Sequence, residues 1–117
     1  MMELRKLYQK IESDYETVLR RFCNDENMLG RFVVSFPDDP TFEALEKAVT
    51  ACDYQEIESR AHSLKGVSAN LGFDRLQEAC AKVVLCVRQE RFEEIADDFQ
   101  PLKRQYEKVV EEISGME

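Results

Sequence analysis

Apolar residues recur three and four positions apart along almost the whole chain, and strand-like alternation is nearly absent. Leu4, Leu7, Ile11, Tyr15, Val18 and Phe22 keep this spacing without a break, which predicts a first helix over about residues 3–23. Met28, Leu29, Phe32, Val33 and Phe36 form the stripe of a second, shorter helix, with Asn24 and Asp25 available as caps. "PDDP" then interrupts the chain. Asp39 can cap a third helix with Pro40 at its first position, where a missing N–H costs nothing, and Phe42, Leu45, Val49 and Cys52 line it. "DYQE", from Asp53 to Glu56, has the pattern of a capping box and opens a fourth helix. Tyr54, Ile57, Ala61, Leu64, Ser68 and Leu71 are its expected buried stripe, and Gly72 suits the left-handed position past its end. "DRLQ", from Asp74, is expected to cap a fifth helix through Leu76, Cys80, Val83 and Val87. Phe92, Ile95, Phe99, Leu102, Tyr106, Val109 and Ile113 stay in phase across Pro101. The last segment is therefore either one kinked helix or two helices meeting near Gln100. Short connections between such segments imply an all-α fold, an antiparallel helical bundle.

A chain of 117 residues fits one domain, and 4 glycines and 3 prolines leave no room for a long linker. The net charge of -8 opposes nucleic acid and anionic membrane as partners. No apolar run approaches the roughly 20 residues a membrane span needs. The opening "MMELRKLYQKIESDYE" lacks an apolar signal-peptide core, so a cytoplasmic location is expected. A monomer is expected as well. Cys23, Cys52, Cys80 and Cys86 lack zinc-site spacing and sit among apolar neighbours. They read as small buried side chains in a reducing compartment.

The single histidine, His62, is placed by helical geometry. With Ile57 at zero, Ala61, Leu64, Ser68 and Leu71 fall within about 40° of it, whereas His62 lies about 140° round, toward solvent. Its neighbours one turn away are Glu58, Ser59, Lys65 and Gly66, with Ala69 beyond. Ser59, Gly66 and Ala69 are small, and leave the imidazole clear for the approach of another protein. Glycine inside a helix is about 1 kcal/mol worse than alanine, and a bare patch beside a nucleophile is a reason to accept that loss. Lys65 sets an ammonium near an anion bonded to the ring. A neutral imidazole can attack phosphorus near neutral pH, since its ordinary pKa is about 6.5. Phosphoryl transfer of this kind needs in-line access and charge neutralisation more than acid–base machinery.

"AHSLKGVSANLG", Ala61 to Gly72, resembles the signature of histidine-containing phosphotransfer (HPt) domains, roughly A-H-x-L-K-G-x-x-x-x-x-G. The likeness covers about residues 25–114. It implies a four-helix bundle with additional N-terminal helices. It also implies that His62 is the phosphoacceptor, that Lys65 stabilises the phosphoryl group and that Gly66 keeps the docking surface open. The implied partners are receiver domains of response regulators, which carry the phosphorylatable Asp and bind Mg²⁺, and an upstream hybrid histidine kinase. The chain itself would need no cofactor or metal and would have no kinase activity. Many members place Glu or Gln on the next helix to orient the ring. Val84 stands there in this sequence, so that hydrogen bond is either missing or supplied by Gln77 or another group.

Leu85 lies opposite Val83 on the fifth helix, so it points away from the core stripe. Either the N-terminal helix buries it, or it is an apolar landing spot for a receiver. Ser59, Ser63 and Ser68 have no adjacent base, so no nucleophilic serine is expected. Acidic runs such as "FEEIADD" read as solvated helix faces. No glycine-rich nucleotide loop is present, which argues against an ATP-using enzyme. Two classes remain: a phosphorelay intermediate, or a degenerate bundle that binds a partner without transferring phosphate.

Overall fold

The computed structural model describes residues 2–116, and among them there is no strand. Seven α-helices follow one another: α1 (Met2–Lys10), α2 (Tyr15–Arg21), α3 (Glu26–Ser35), α4 (Thr41–Thr50), α5 (Tyr54–Leu71), α6 (Asp74–Arg88) and α7 (Ile95–Ser114). Short 3₁₀ turns precede α4, at Phe36–Asp38, and α7, at Phe92–Glu94. Helix α4 packs on α5, α5 on α6, α6 on α7, and α7 returns to α4. This closes an antiparallel four-helix bundle. The shorter α1, α2 and α3 are added at one end, where α1 touches α7 while α2 and α3 touch α5.

The expected first helix over residues 3–23 is two helices. Glu12 takes a left-handed φ of 59° and ends α1. Asp14 then caps α2, its side chain accepting from the Thr17 N–H. Ile11, Tyr15 and Val18 are all buried on either side of the break, so the apolar spacing survives a turn that interrupts the backbone. At the other end of the chain the periodicity is continuous in fact, and α7 runs through Pro101 as one helix.

Most caps fall where the residue types place them. The side chains of Asp25 and Asp53 accept from the N–H groups of Met28 and Glu56. Before α4 the expectation is off by one: Pro40 stands at the cap position and Thr41 is the first helical residue, while Asp39, one place further back, accepts from the Thr41 N–H at 2.9 Å. Asp74 is different. It is the first residue of α6, preceded by Phe73, and no side chain caps that end. Its carboxylate still favours the positive end of the helix dipole. Glu56 does not complete a capping box either, because its carboxylate turns to Arg60 one turn on.

Three burial expectations are corrected. Cys80 and Cys86 are buried, but Cys23 and Cys52 are exposed, each just past a helix end with φ of 56° and 54°. Tyr54 is exposed and stacks on Phe92 at 4.0 Å. Phe32, on α3, is 51% exposed. Helix α3 is only ten residues long, and its inward stripe is complete with Leu29, Val33 and the following Phe36.

The end of α5 fixes how the added helices sit. The Gly72 N–H bonds the Ala69 carbonyl, and the Phe73 N–H bonds the Ser68 carbonyl at 2.8 Å. That is the pair of bonds of a Schellman motif, with Gly72 left-handed at φ 75°. Helices α1 and α2 close over this end. The Tyr8 hydroxyl donates to the Leu71 carbonyl, an Arg21 Nη1–H donates to the Ala69 carbonyl at 2.7 Å, and Arg75 pairs with Glu12 at 2.6 Å.

Candidate functional site

The expected buried stripe of α5 is buried at Ile57, Ala61, Leu64, Ser68 and Leu71. It faces the bundle and fixes the rotation of the helix. His62 is exposed as a consequence, and so are Ser59 and Gly66, while Lys65 and Ala69 are half-buried. A Cβ built on Gly66 meets nothing within 4 Å. The helix wheel therefore holds in three dimensions: the ring stands on an open stripe with small side chains around it.

Helix α6 forms the other bank. Glu58, one turn before His62, receives a hydrogen bond from Arg88 Nε at 2.8 Å, and this sets the register of the antiparallel pair. Counting one turn along each helix brings Val84 and Leu85 across from His62. Val84 is buried, at 4% exposure, whereas Leu85 is 49% exposed. The N-terminal helices therefore do not cover Leu85. Among the described residues no hydrogen bond or ion pair involves His62. Gln77 does not serve the ring: it lies two turns before Val84 on α6, about 10 Å away along the helix.

Lys65 also has no carboxylate partner among the described residues. Its charge is felt inside the bundle. Burial pushes the Cys80 thiol up to about 12, and the Lys65 ammonium pulls it the other way.

The Glu58–Arg88 pair and the Arg21 bond to Ala69 span 30 and 48 residues of sequence. Helical spacing cannot reveal contacts of that length, and neither arginine carries a local signal. A surface cavity of about 500 Å³, lined by Arg31, Val34 and Met116 among others, lies beside α3 and not at His62. No group of three or more His, Cys, Asp or Glu able to hold a metal ion occurs among the described residues. No described helix is long and apolar enough to cross a membrane.

A family model described as Hpt domain matches residues 27–114. The match takes in α4 to α7 and nearly all of α3, and it leaves α1 and α2 outside. No curated protein and no solved structure matches the chain significantly.

Proposed function

The chain belongs to the histidine-containing phosphotransfer family, and from that membership we propose that it relays phosphoryl groups through His62. Hpt domains are phosphocarriers of two-component signalling and interact with receiver domains of response regulators. The observation that supports His62 most is its place: the chain's one histidine, exposed on a stripe where Gly66 leaves open space.

In the proposed step a receiver lays its aspartyl phosphate against the stripe. The unprotonated ring nitrogen of His62 attacks phosphorus in line. A P–N bond forms, the P–O bond to the aspartyl carboxyl breaks, and the carboxylate leaves with the bonding pair. The proton on the other ring nitrogen stays, so the phosphorylated ring is briefly an imidazolium. Reversal passes the group to a second receiver. Lys65 offsets charge on the transferring group. Ser59, Gly66, Ala69 and Leu85 form the surface against which the receiver rests. The Mg²⁺ of such a reaction belongs to the receiver's own acidic site, and an upstream hybrid histidine kinase supplies the phosphoryl group through that receiver.

A panel of phosphorylated receiver domains tests this reading. A cognate receiver should give the protein an acid-labile, base-stable phosphate, and His62→Gln should abolish it while helicity is retained. Lys65→Ala should slow transfer by a factor of up to about five, since an exposed ion pair contributes about 0–1 kcal/mol, and Lys65→Arg should retain most of the rate. Undiminished labelling of the His62→Gln variant would remove the assignment. Binding of receivers without any labelling would instead favour the degenerate, binding-only bundle.

A further inference from the structure

We propose that Arg21 faces the docked receiver, so that the α1–α2 pair, which the family model does not match, supplies a cation that selects receivers carrying a carboxylate at that edge. The proposal rests on the phosphorelay reading of His62 and adds a residue outside the matched segment.

Position carries the first part. Arg21 Nη1 lies 2.7 Å from the carbonyl oxygen of Ala69. Ala69 is seven residues beyond His62, about 10.5 Å along the helix and only about 20° round it. The guanidinium is thus at the far end of the same stripe. An ordinary protein interface covers about 800 Å² on each partner, equivalent to a disc of about 16 Å radius. A footprint centred on His62 reaches Arg21.

Charge carries the second part. Along the exposed side of α5, Glu56 is taken by Arg60 and Glu58 by Arg88. Arg5 is taken by Glu16, and Arg75 by Glu12. Arg21 is exposed and has no carboxylate partner among the described residues. A guanidinium offers five N–H donors in a fixed fork. One contact to Ala69 holds the fork in place and leaves donors facing outward, the arrangement that suits a carboxylate. On a protein of net charge -8, such a point gives an acidic partner a specific place to land.

The receiver that labels His62 serves as donor, with phosphoramidate as a small donor that needs no docking. Wild type, Arg21→Lys, Arg21→Ala and Arg21→Glu are compared at low and high salt. Arg21→Glu should raise KM for the phosphorylated receiver about tenfold at low salt, with a smaller gap at high salt. Arg21→Lys, which keeps the charge but loses the fork, should fall between wild type and Arg21→Ala. The ratio of receiver-driven to phosphoramidate-driven labelling should fall in step with the rise in KM. A residue that only caps α5 gives the opposite pattern: lower thermal midpoints with KM unchanged, which would overturn the proposal. Should Arg21→Glu fail to fold, Arg21→Ala against Arg21→Lys reads the same difference. Wild type that accepts phosphate from no receiver would overturn the phosphorelay reading, and Arg21 as a receiver contact with it.

Discussion

Two stretches of α5, six residues apart, use glycine for opposite ends. At Gly66 an added Cβ meets open space. At Gly72 it would overlap Val18 Cγ2 and press on Val18 Cβ, on a backbone with φ of 75°. The left-handed backbone alone does not account for Gly72. Glu12, Cys23, Cys52 and Glu90 hold φ between 54° and 59°. Each also closes its helix with the same two hydrogen bonds, for instance Cys52 N–H to Val49 and Asp53 N–H to Ala48. Those four residues are exposed and their Cβ atoms have room. Gly72 is the one such end that α1 and α2 cover. The difference teaches that Gly72 answers to contact within the chain, whereas Gly66 borders open space, which the docking proposed above would use.

Substitution can break that contrast at either side. The largest effect is expected at the covered end. Gly72→Ala adds left-handed strain of about 1–2 kcal/mol to overpacking of about 1–3 kcal/mol, so chemical denaturation should report a loss of about 3 kcal/mol. Val18→Ala in that background should restore part of it, which a double-mutant cycle measures. At the open stripe the sign reverses. Gly66→Leu should gain about 0.5–1 kcal/mol, because glycine is the poorer helix former. The same change should lower phosphoryl transfer from a receiver at least tenfold, about 1.4 kcal/mol in the barrier. A stabilised variant with an unaltered transfer rate would place Gly66 outside the docking surface.

Tyr8→Phe sharpens the covered end through pH. Burial is the first cause holding the Tyr8 phenol above its ordinary value of 10.0, so the folded state favours the protonated form. That contribution is complete below about pH 10 and is lost as pH rises from there toward the folded value. The wild type should therefore lose stability above about pH 10 more steeply than Tyr8→Phe. Near neutral pH the variant should be weaker by about 1 kcal/mol, for the lost bond to Leu71. The smallest change is expected at an uncovered end. Cys52→Gly should stabilise by about 0.5 kcal/mol, the relief of left-handed strain less the entropy of a more flexible unfolded chain.

The contrast also marks where sequence is legible. A wheel drawn on α5 places His62 outside and Leu64 inside without any structure, because both answer to 3.6-residue geometry. The break between α1 and α2 escapes the same method. Ile11, Tyr15 and Val18 keep helical spacing while Glu12 turns left-handed, so the apolar pattern runs on where the backbone does not. Cys23 and Cys52 mislead for a related reason. Their neighbours in sequence are apolar, but a left-handed residue past a helix end points away from what its neighbours bury. Arg21 and Arg88 lie beyond local pattern altogether, since each meets α5 only through tertiary packing. Leu85 had two readings that periodicity could not separate, and its exposure follows from where α1 and α2 sit, over the far end of α5.

The last carbonyls of a helix are where it frays, and those of α5 are held by side chains 48 and 63 residues away, at Arg21 and Tyr8. The first two helices thereby act as a splint on the helix that carries His62. Amide protons in the last turn of α5 would exchange with solvent about as slowly as those at its middle, and the usual gradient of protection toward a helix end would be flattened. A stripe held rigid in this way meets its partner without first being ordered, which lowers the entropy lost on each encounter. For the carrier proposed above, a stripe already ordered would speed each docking, because no ordering step would precede contact.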